Sequence, residues 1–171
     1  RLGGFGVAAH PDSPKAGLRW RGWSAPAAGI EVINGDSAWR DETASTVLRA
    51  LAGYVFRPGP AVAGLIEPPS DLLERIDTSP RRTVALAGAD AHARLPLWTD
   101  EEPSDAGWAL PVPSYEAAFR TFVNVVSLAQ PLSGNAGEDA ALLTQAFRSG
   151  RVVIAMSAVA SPADLDFPAA T

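Results

Sequence analysis

The stretch Thr83-Val84-Ala85-Leu86-Ala87-Gly88-Ala89-Asp90-Ala91-His92 decides the fold prediction for this chain. An apolar run that starts with β-branched residues and ends in glycine predicts a buried strand leaving a sheet. Asp90 and His92 follow directly, at the position where α/β proteins place their chemistry. A carboxylate and an imidazole that converge there are suitable ligands for a divalent metal. The alternative is structural: Asp90 caps the next turn and His92 satisfies a backbone carbonyl.

Other apolar segments predict further strands of the same sheet. Residues 5–9 and 29–34 are largely apolar rather than alternating, a pattern typical of parallel strands that are buried on both faces. The expected fold class is therefore α/β, with parallel strands and flanking helices. Three strands before residue 95 are too few for a closed barrel. The remaining predicted elements are helices at 40–54 and 61–66, helices that begin at Ser70 and Ser114 (the latter including Val123 and Val126), a helix containing Leu142 and Phe147, and a strand at 152–156.

The chain is expected to form one domain over residues 1–160. Residues 95–113, rich in proline and acidic residues, are predicted to be a long acidic loop within it. Residues 161–171, rich in proline and alanine, are predicted to be a linker or tail. Because the chain begins at Arg1 without Met and enters an apolar strand almost at once, we expect a piece of a longer protein.

Composition excludes several classes of function. The net charge of −5 gives no basic surface for a nucleic-acid backbone. The absence of cysteine excludes a disulfide framework and thiolate metal sites. No apolar run approaches the roughly 20 residues that a membrane span requires. We therefore predict neither a nucleic-acid partner nor a membrane partner.

His10 also closes an apolar strand. Because successive parallel strands end at the same edge of a sheet, His10 is expected to meet Asp90 and His92 there. His10, Asp90 and His92 are the candidate metal ligands, although three ligands are few for a site that must activate water. The alternative is that His10, before a proline, is only a turn residue.

Three charged residues near these strands are candidates for binding substrate. Lys15 and Arg94 lie just beyond two strand ends, where a cation can receive a phosphate or a carboxylate, or can simply be solvated. Glu31 lies inside an apolar strand, where it either faces the site or points to solvent from an edge strand. Asn34 and Asp36 are interpreted as turn residues.

Four segments, in order along nearly the whole chain, resemble the PHP domain, the polymerase and histidinol phosphatase superfamily. The last segments resemble one bacterial subgroup of metal-dependent phosphoesterases. The similarity is carried by the residues 7–11 (Val-Ala-Ala-His-Pro) with Lys15 and Trp20, by 29–34, by 87–92 with the Asp-x-His motif, and by 113–119 together with 149–152.

The resemblance implies a distorted seven-stranded β/α barrel with two or three metal ions (Mn, Zn or Fe) at its C-terminal mouth. His10 matches a histidine ligand of a middle motif of that family, and Asp90 and His92 match its last two ligands; in members with three metals these positions serve different metals. The reaction implied is attack of a metal-activated hydroxide on a phosphate ester. The family's opening His-x-His motif does not occur in this chain, so the resemblance covers the C-terminal portion of the barrel, without the N-terminal strands.

The leading hypothesis is therefore part of a metal-dependent phosphoesterase for a small phosphorylated substrate. The missing N-terminal part of the barrel would come from the same chain or from a separate one, and the isolated chain is expected to be inactive or weakly active. The first alternative is a non-catalytic module that keeps the fold for binding or assembly. The second is a carbohydrate- or peptide-binding domain, which predicts at least two solvent-facing indoles among the tryptophans.

Overall fold

A parallel three-stranded sheet forms the centre of the chain. The computed structural model describes residues 4–40, 42–96 and 109–164. Strands β1 (Val7–Ala8), β2 (Gly29–Asn34) and β3 (Val84–Gly88) lie in the order β1-β2-β3, and both pairs are parallel. The predicted α/β class with parallel strands is confirmed. Most of the predicted acidic loop and the end of the predicted tail (97–108 and 165–171) lie outside the described residues.

The predicted helix over 40–54 is present but starts later, at Ala44. Arg40 instead ends a preceding helix, α1 (Gly35–Arg40), and α2 (Ala44–Tyr54) begins after Thr43, whose hydroxyl accepts the N–H of Thr46 at 3.3 Å as an N-cap. The next helix starts earlier than predicted, at Pro58, because proline suits the first helical turn. The helices are α1 (Gly35–Arg40), α2 (Ala44–Tyr54), α3 (Pro58–Ala63), α4 (Ser70–Asp77), α5 (Tyr115–Thr121) and α6 (Ala136–Arg148).

The predicted helix from Ser114 is correct at its start and wrong at its end. Ser114 caps α5, and its hydroxyl accepts the N–H of Ala117 at 3.2 Å. After Thr121 the chain becomes a strand because valine, being β-branched, favours extended backbone. Two short strands, β4 (Leu95–Pro96) and β5 (Ala109–Leu110), form a separate antiparallel pair; β6 (Val123–Val126) and β7 (Val152–Ala155) form another.

The side chain of Asn124 forms hydrogen bonds between the β6–β7 pair and the parallel sheet. The N–H of Ala87 donates to Asn124 Oδ1 at 3.0 Å, and Asn124 Nδ2 donates to the Ala87 carbonyl at 2.8 Å. The amide of Asn124 thus takes the place of a strand's peptide group and satisfies the backbone of β3. Residues 4–40, 42–96 and 109–164 form an open sheet with this pair beside it, not a closed barrel.

Two apolar clusters stabilise the fold. Leu72 of α4 packs against Ile30 and Val32 of β2, so α4 covers one face of the sheet. The second cluster joins α1, α3 and α5 around the indole of Trp39. No described helix is both long enough and apolar enough to cross a lipid bilayer. The carboxyl edge of the sheet lies at the start of α1, which follows β2 without a connecting loop.

Candidate metal centre

Three strand ends bring polar side chains to one edge of the sheet. His10 follows β1, Asn34 ends β2, and Asp90 follows β3. Because the strands are parallel, their carboxyl ends share this edge. His10 and Asp90 both have a positive φ, 51° and 43°, in the left-handed region that Asn, Asp and His tolerate better than most residues. This strained backbone occurs at two of the three predicted ligands and at Ala93 in the same loop, and such strain is concentrated at functional sites.

Glu31 lies inside this edge and not on a solvent-facing strand. Strand β2 is the middle strand, and the Glu31 side chain is only 12% exposed. Its Oε2 accepts the backbone N–H of His10 at 2.9 Å. The side chain passes over Gly88, where a Cβ would overlap the carboxylate. Glu31 therefore joins β1 to β2, and the absence of a side chain at Gly88 makes room for it.

The amide nitrogen of Asn34 lies at the centre of the cluster. Its Nδ2 is 2.9 Å from His10 Nδ1, 3.0 Å from Glu31 Oε2 and 3.3 Å from Asp90 Oδ2. Asn34 Oδ1 accepts the N–H of Ser37 at 2.8 Å, as an N-cap does, and this bond fixes the orientation of the amide. This nitrogen carries two hydrogens, so it can donate to at most two of the three atoms at a time.

The other oxygen of Asp90 faces a different set of groups. Asp90 Oδ1 lies 3.2 Å from His92 Nε2, and ligand atoms of Asp36, Asp90 and His92 all lie within 4.8 Å of one another. Asp36 also forms an ion pair with Arg40, one helical turn later. A Cβ at Gly35 would lie 2.5 Å from the carbonyl oxygen of Ala89, so glycine at this position allows the start of α1 to approach the loop that carries Asp90.

The spacing of these groups fits a divalent metal. An ion about 2.0–2.2 Å from nitrogen and oxygen ligands places neighbouring ligand atoms about 3.0–3.5 Å apart. Asp90 lies 3.5 Å from His10 Nδ1 through one oxygen and 3.2 Å from His92 Nε2 through the other. On the His10 side the Asn34 amide already lies between the acceptors, and on the His92 side the imidazole is 57% exposed. The His92 side therefore fits an incoming ion better.

The three predicted substrate-binding residues lie in different parts of the structure. Arg94 is half-buried and lines a small cavity together with Asp90 and His92. Lys15 is half-buried in the turn after His10, where its backbone N–H donates to Ser13 Oγ at 3.3 Å. Glu31 binds backbone and side chains of the cluster itself, a position that suits holding the edge together.

The sequence interpretation missed Asn34 and Asp36 as members of the cluster. Asn34 does cap a turn, but the same amide contacts three side chains of the site. The available signal was the position of both residues directly after a predicted parallel strand. Because β2 ends at the same edge as β1 and β3, polar residues after it belong in the same search.

A larger groove of about 580 Å³ lies beside the cluster and is strongly acidic. Glu31 and Asn34 form its border with the metal centre, and the described residues that line it include neither lysine nor arginine. Such a lining attracts cations and repels free anions. Its acidic residues are Asp12, Glu31, Glu42, Glu67 and Asp71.

The described tryptophans differ in their exposure. Among the described residues, Trp23 is 36% exposed and its ring lies 4.2 Å from the guanidinium carbon of Arg75. Trp20 packs against the core and Trp39 is 6% exposed. Trp98 and Trp108 lie outside the described residues, so the expectation of at least two solvent-facing indoles stays a prediction. No known protein family, curated protein or solved structure matches this chain.

Proposed function

We propose that this chain carries part of the metal site of a hydrolase of phosphate esters, in a fold of the PHP type that further strands complete. The observation that carries the proposal is the position of Asp90, whose two oxygens face the two histidines of the chain. Asp90 and His92 are the proposed ligands of one ion. His10 lies beside the other oxygen, where it is proposed to serve a neighbouring ion once the Asn34 amide turns away.

The donor set suits the metals that the PHP resemblance implies. Imidazole nitrogens and carboxylate oxygens, without thiolates, bind Mn, Zn or Fe. A bound ion of this kind supplies a hydroxide at neutral pH and stabilises charge on a phosphoryl group. The protein's own part is to orient Asp90 through the strained turn after β3 and to position the His10 imidazole through Asn34.

The acidic groove bears on how an anionic substrate would bind. Since its described lining has five carboxylates and no basic side chain, attraction of a phosphate group depends on the charge of the metal. Arg94, at the small cavity beside Asp90, is the proposed cation that assists. The proposed substrate is a small phosphorylated molecule. The remaining ligands are proposed to come from another part of the barrel, in the same chain or a separate one.

One observation favours a non-catalytic module as a second candidate. The Asn34 amide nitrogen lies within hydrogen-bond distance of His10, Glu31 and Asp90 and holds them together without any metal. A polar network of this kind stabilises a unique structure. In this second candidate the polar residues at the carboxyl edge of the sheet only stabilise the fold, and the protein serves in binding or assembly.

The two candidates differ in their response to substitution at Asp90 and His92. We expect saturable binding of one Mn²⁺ per chain, monitored by electron paramagnetic resonance of the free ion, and weak hydrolysis of 4-nitrophenyl phosphate. Asp90→Asn keeps the side-chain shape and tolerates the positive φ. This variant and His92→Ala are each expected to lower Mn²⁺ affinity by about 10–100-fold or more, the range known for disturbed metal sites. His10→Asn is expected to leave this first ion in place.

A matched control removes a carboxylate far from the edge. Asp77 ends α4, at the opposite end of the sheet from Asp90, and Asp77→Asn should leave Mn²⁺ affinity unchanged. Unchanged affinity in both Asp90→Asn and His92→Ala would contradict the metal site and favour the non-catalytic module. Rapid turnover by this chain alone would contradict the incomplete site.

A further inference from the structure

A small cavity lies between the start of α1, the loop after β3 and α5. Its volume is about 20 Å³, enough for one water-sized atom, since about 10–15 Å³ is the minimum for a water. One part of its wall is apolar and includes Val62 and Phe122. The polar part is formed by Asp36, Trp39, Asp90, His92 and Arg94.

Trp39 lines this cavity, and its indole has an unsatisfied donor. Trp39 is 6% exposed, and its Nε1 has no hydrogen-bond partner among the described residues. An indole N–H can only donate, and a buried donor without an acceptor is costly to the folded state. Native proteins pair such groups with a protein atom, an ordered water or a ligand. An oxygen atom in the cavity is a suitable acceptor for this N–H.

Three ligand atoms lie at the same cavity. Those of Asp36, Asp90 and His92 are within 4.8 Å of one another, close to the span of about 3.0–4.2 Å across an ion bound at about 2.1 Å. The exposed imidazole of His92 is free to close the difference by rotating. Arg40 binds Asp36 through Oδ2, which leaves Oδ1 for an ion and holds the carboxylate in orientation.

We propose that Asp36, Asp90 and His92 hold one divalent ion together, and that the Trp39 N–H donates to an oxygen ligand of that ion inside the cavity. The inference rests on the proposed function for Asp90 and His92, and it adds Asp36 and Trp39. The cavity has room for a single oxygen, and we assign this ligand as water or hydroxide. A substrate then reaches the ion from the exposed side of His92.

Metal affinity and the indole resonances of the folded chain test this proposal. Asp36→Asn is expected to weaken Mn²⁺ binding by about 10-fold or more, whereas Asp77→Asn leaves it unchanged. Asp36→Glu retains the charge, and so the attraction to Arg40, but displaces the carboxylate; it is expected to weaken binding while retaining the wild-type circular dichroism. In a ¹⁵N-labelled sample, Zn²⁺ is expected to shift the Nε1–H resonance of Trp39, identified by its loss in Trp39→Phe. The resonances of Trp20 and Trp23 should stay in place.

The possible outcomes distinguish failure of this inference from failure of the proposed function. If both Asp36 variants bind Mn²⁺ as the wild type does while Asp90→Asn does not, Asp36 is not a ligand and the proposed function stands. A Trp39 resonance that does not move at saturating Zn²⁺ overturns its role as donor to the oxygen ligand. Failure of the wild-type chain to bind Mn²⁺ or Zn²⁺ overturns both proposals together.

Discussion

The two oxygens of Asp90 face environments that differ in what they are free to bind. On the Oδ2 side, Asn34 holds His10, Glu31 and Asp90 together, and the Glu31 side chain is 12% exposed. On the Oδ1 side, His92 is 57% exposed and lies beside a cavity with an unsatisfied indole donor. One carboxylate thus belongs to a structural network through one oxygen and to a candidate ligand set through the other.

This difference teaches that proximity of ligand-type side chains does not by itself identify a metal site. The His10 side has suitable spacing, but its acceptors already have a donor. The His92 side has fewer internal bonds, and so less to lose when an ion binds. If this comparison is correct, substitutions on the Oδ2 side reduce stability, and substitutions on the Oδ1 side reduce metal affinity.

The largest expected effect on stability comes from Asn34→Ala. The substitution removes the donor to three acceptors and also the cap to Ser37, for an expected loss of about 2–4 kcal/mol in the free energy of unfolding. Urea denaturation monitored by circular dichroism measures it. Asn135→Ala is the matched control: Asn135 caps α6 through Gly137 and Glu138 but is exposed, so its loss should be about 1 kcal/mol. Equal losses in the two variants would show that the Asn34 network contributes nothing beyond a cap.

Two glycine substitutions are expected to disturb the two sides of Asp90 separately, Gly88→Ala on the Oδ2 side and Gly35→Ala on the Oδ1 side. Gly88→Ala places a Cβ in the position of the Glu31 carboxylate and breaks its bonds to His10 and Asn34, for an expected loss of about 1–3 kcal/mol in the free energy of unfolding. Gly35→Ala pushes α1 away from Ala89, at a similar cost in stability, and separates Asp36 from Asp90.

Metal affinity distinguishes these two variants from each other. Gly35→Ala is expected to weaken Mn²⁺ binding about 10-fold, whereas Gly88→Ala should leave it nearly unchanged. Gly17→Ala is the control for both, because a Cβ there has no neighbour within 4 Å. If Gly88→Ala loses Mn²⁺ binding and Gly35→Ala retains it, the Oδ2 side of Asp90 and not the Oδ1 side binds the metal.

The edge of the sheet could be predicted from the sequence because parallel topology has a simple consequence. Apolar runs at 29–34 and 83–88 indicated parallel strands, and parallel strands place their ends together. His10, Asp90 and His92 were therefore expected to meet, and their spacing in the structure is consistent with that expectation. Their role as ligands stays a prediction.

Other features depend on contacts between distant segments. Asn34 and Asp36 follow the pattern of an ordinary turn at the end of a parallel strand, and their contacts with Asp90 depend on the approach of α1 to Ala89. Valines at 123 and 126 fit a helical period, but pairing with β7 decides in favour of a strand. The Asn124 amide that joins the β6–β7 pair to β3 has no local sequence signal, because its partner is 37 residues away.

The smallest expected effect concerns a carboxylate whose role is structural on both oxygens. Asp139, in the first turn of α6, accepts the N–H of Ser133 at 2.7 Å and that of Gly134 at 3.0 Å. The bond from the Ser133 backbone is the main cause that lowers the pKa of Asp139 below its ordinary value, with weaker help from the Ser133 hydroxyl and Gly134. A lowered pKa in the folded state means that this contribution to stability is complete above about pH 4, the ordinary aspartate range.

The contribution is then lost as the pH falls through the lower pKa of folded Asp139. The amide resonances of Ser133 and Gly134, followed by NMR from neutral to acidic pH, should shift with that titration. In Asp139→Asn these amide resonances should not shift over this pH range. Any gradual loss of α6 helicity in acid that comes from protonation of Asp139 should also be absent from this variant. Mn²⁺ affinity at neutral pH should be the same in this variant as in the wild type, because both oxygens of Asp139 are engaged within α6 and the turn before it. A variant that loses Mn²⁺ here would show that carboxylates bind the ion by charge alone, and the distinction between the two sides of Asp90 would then have no basis.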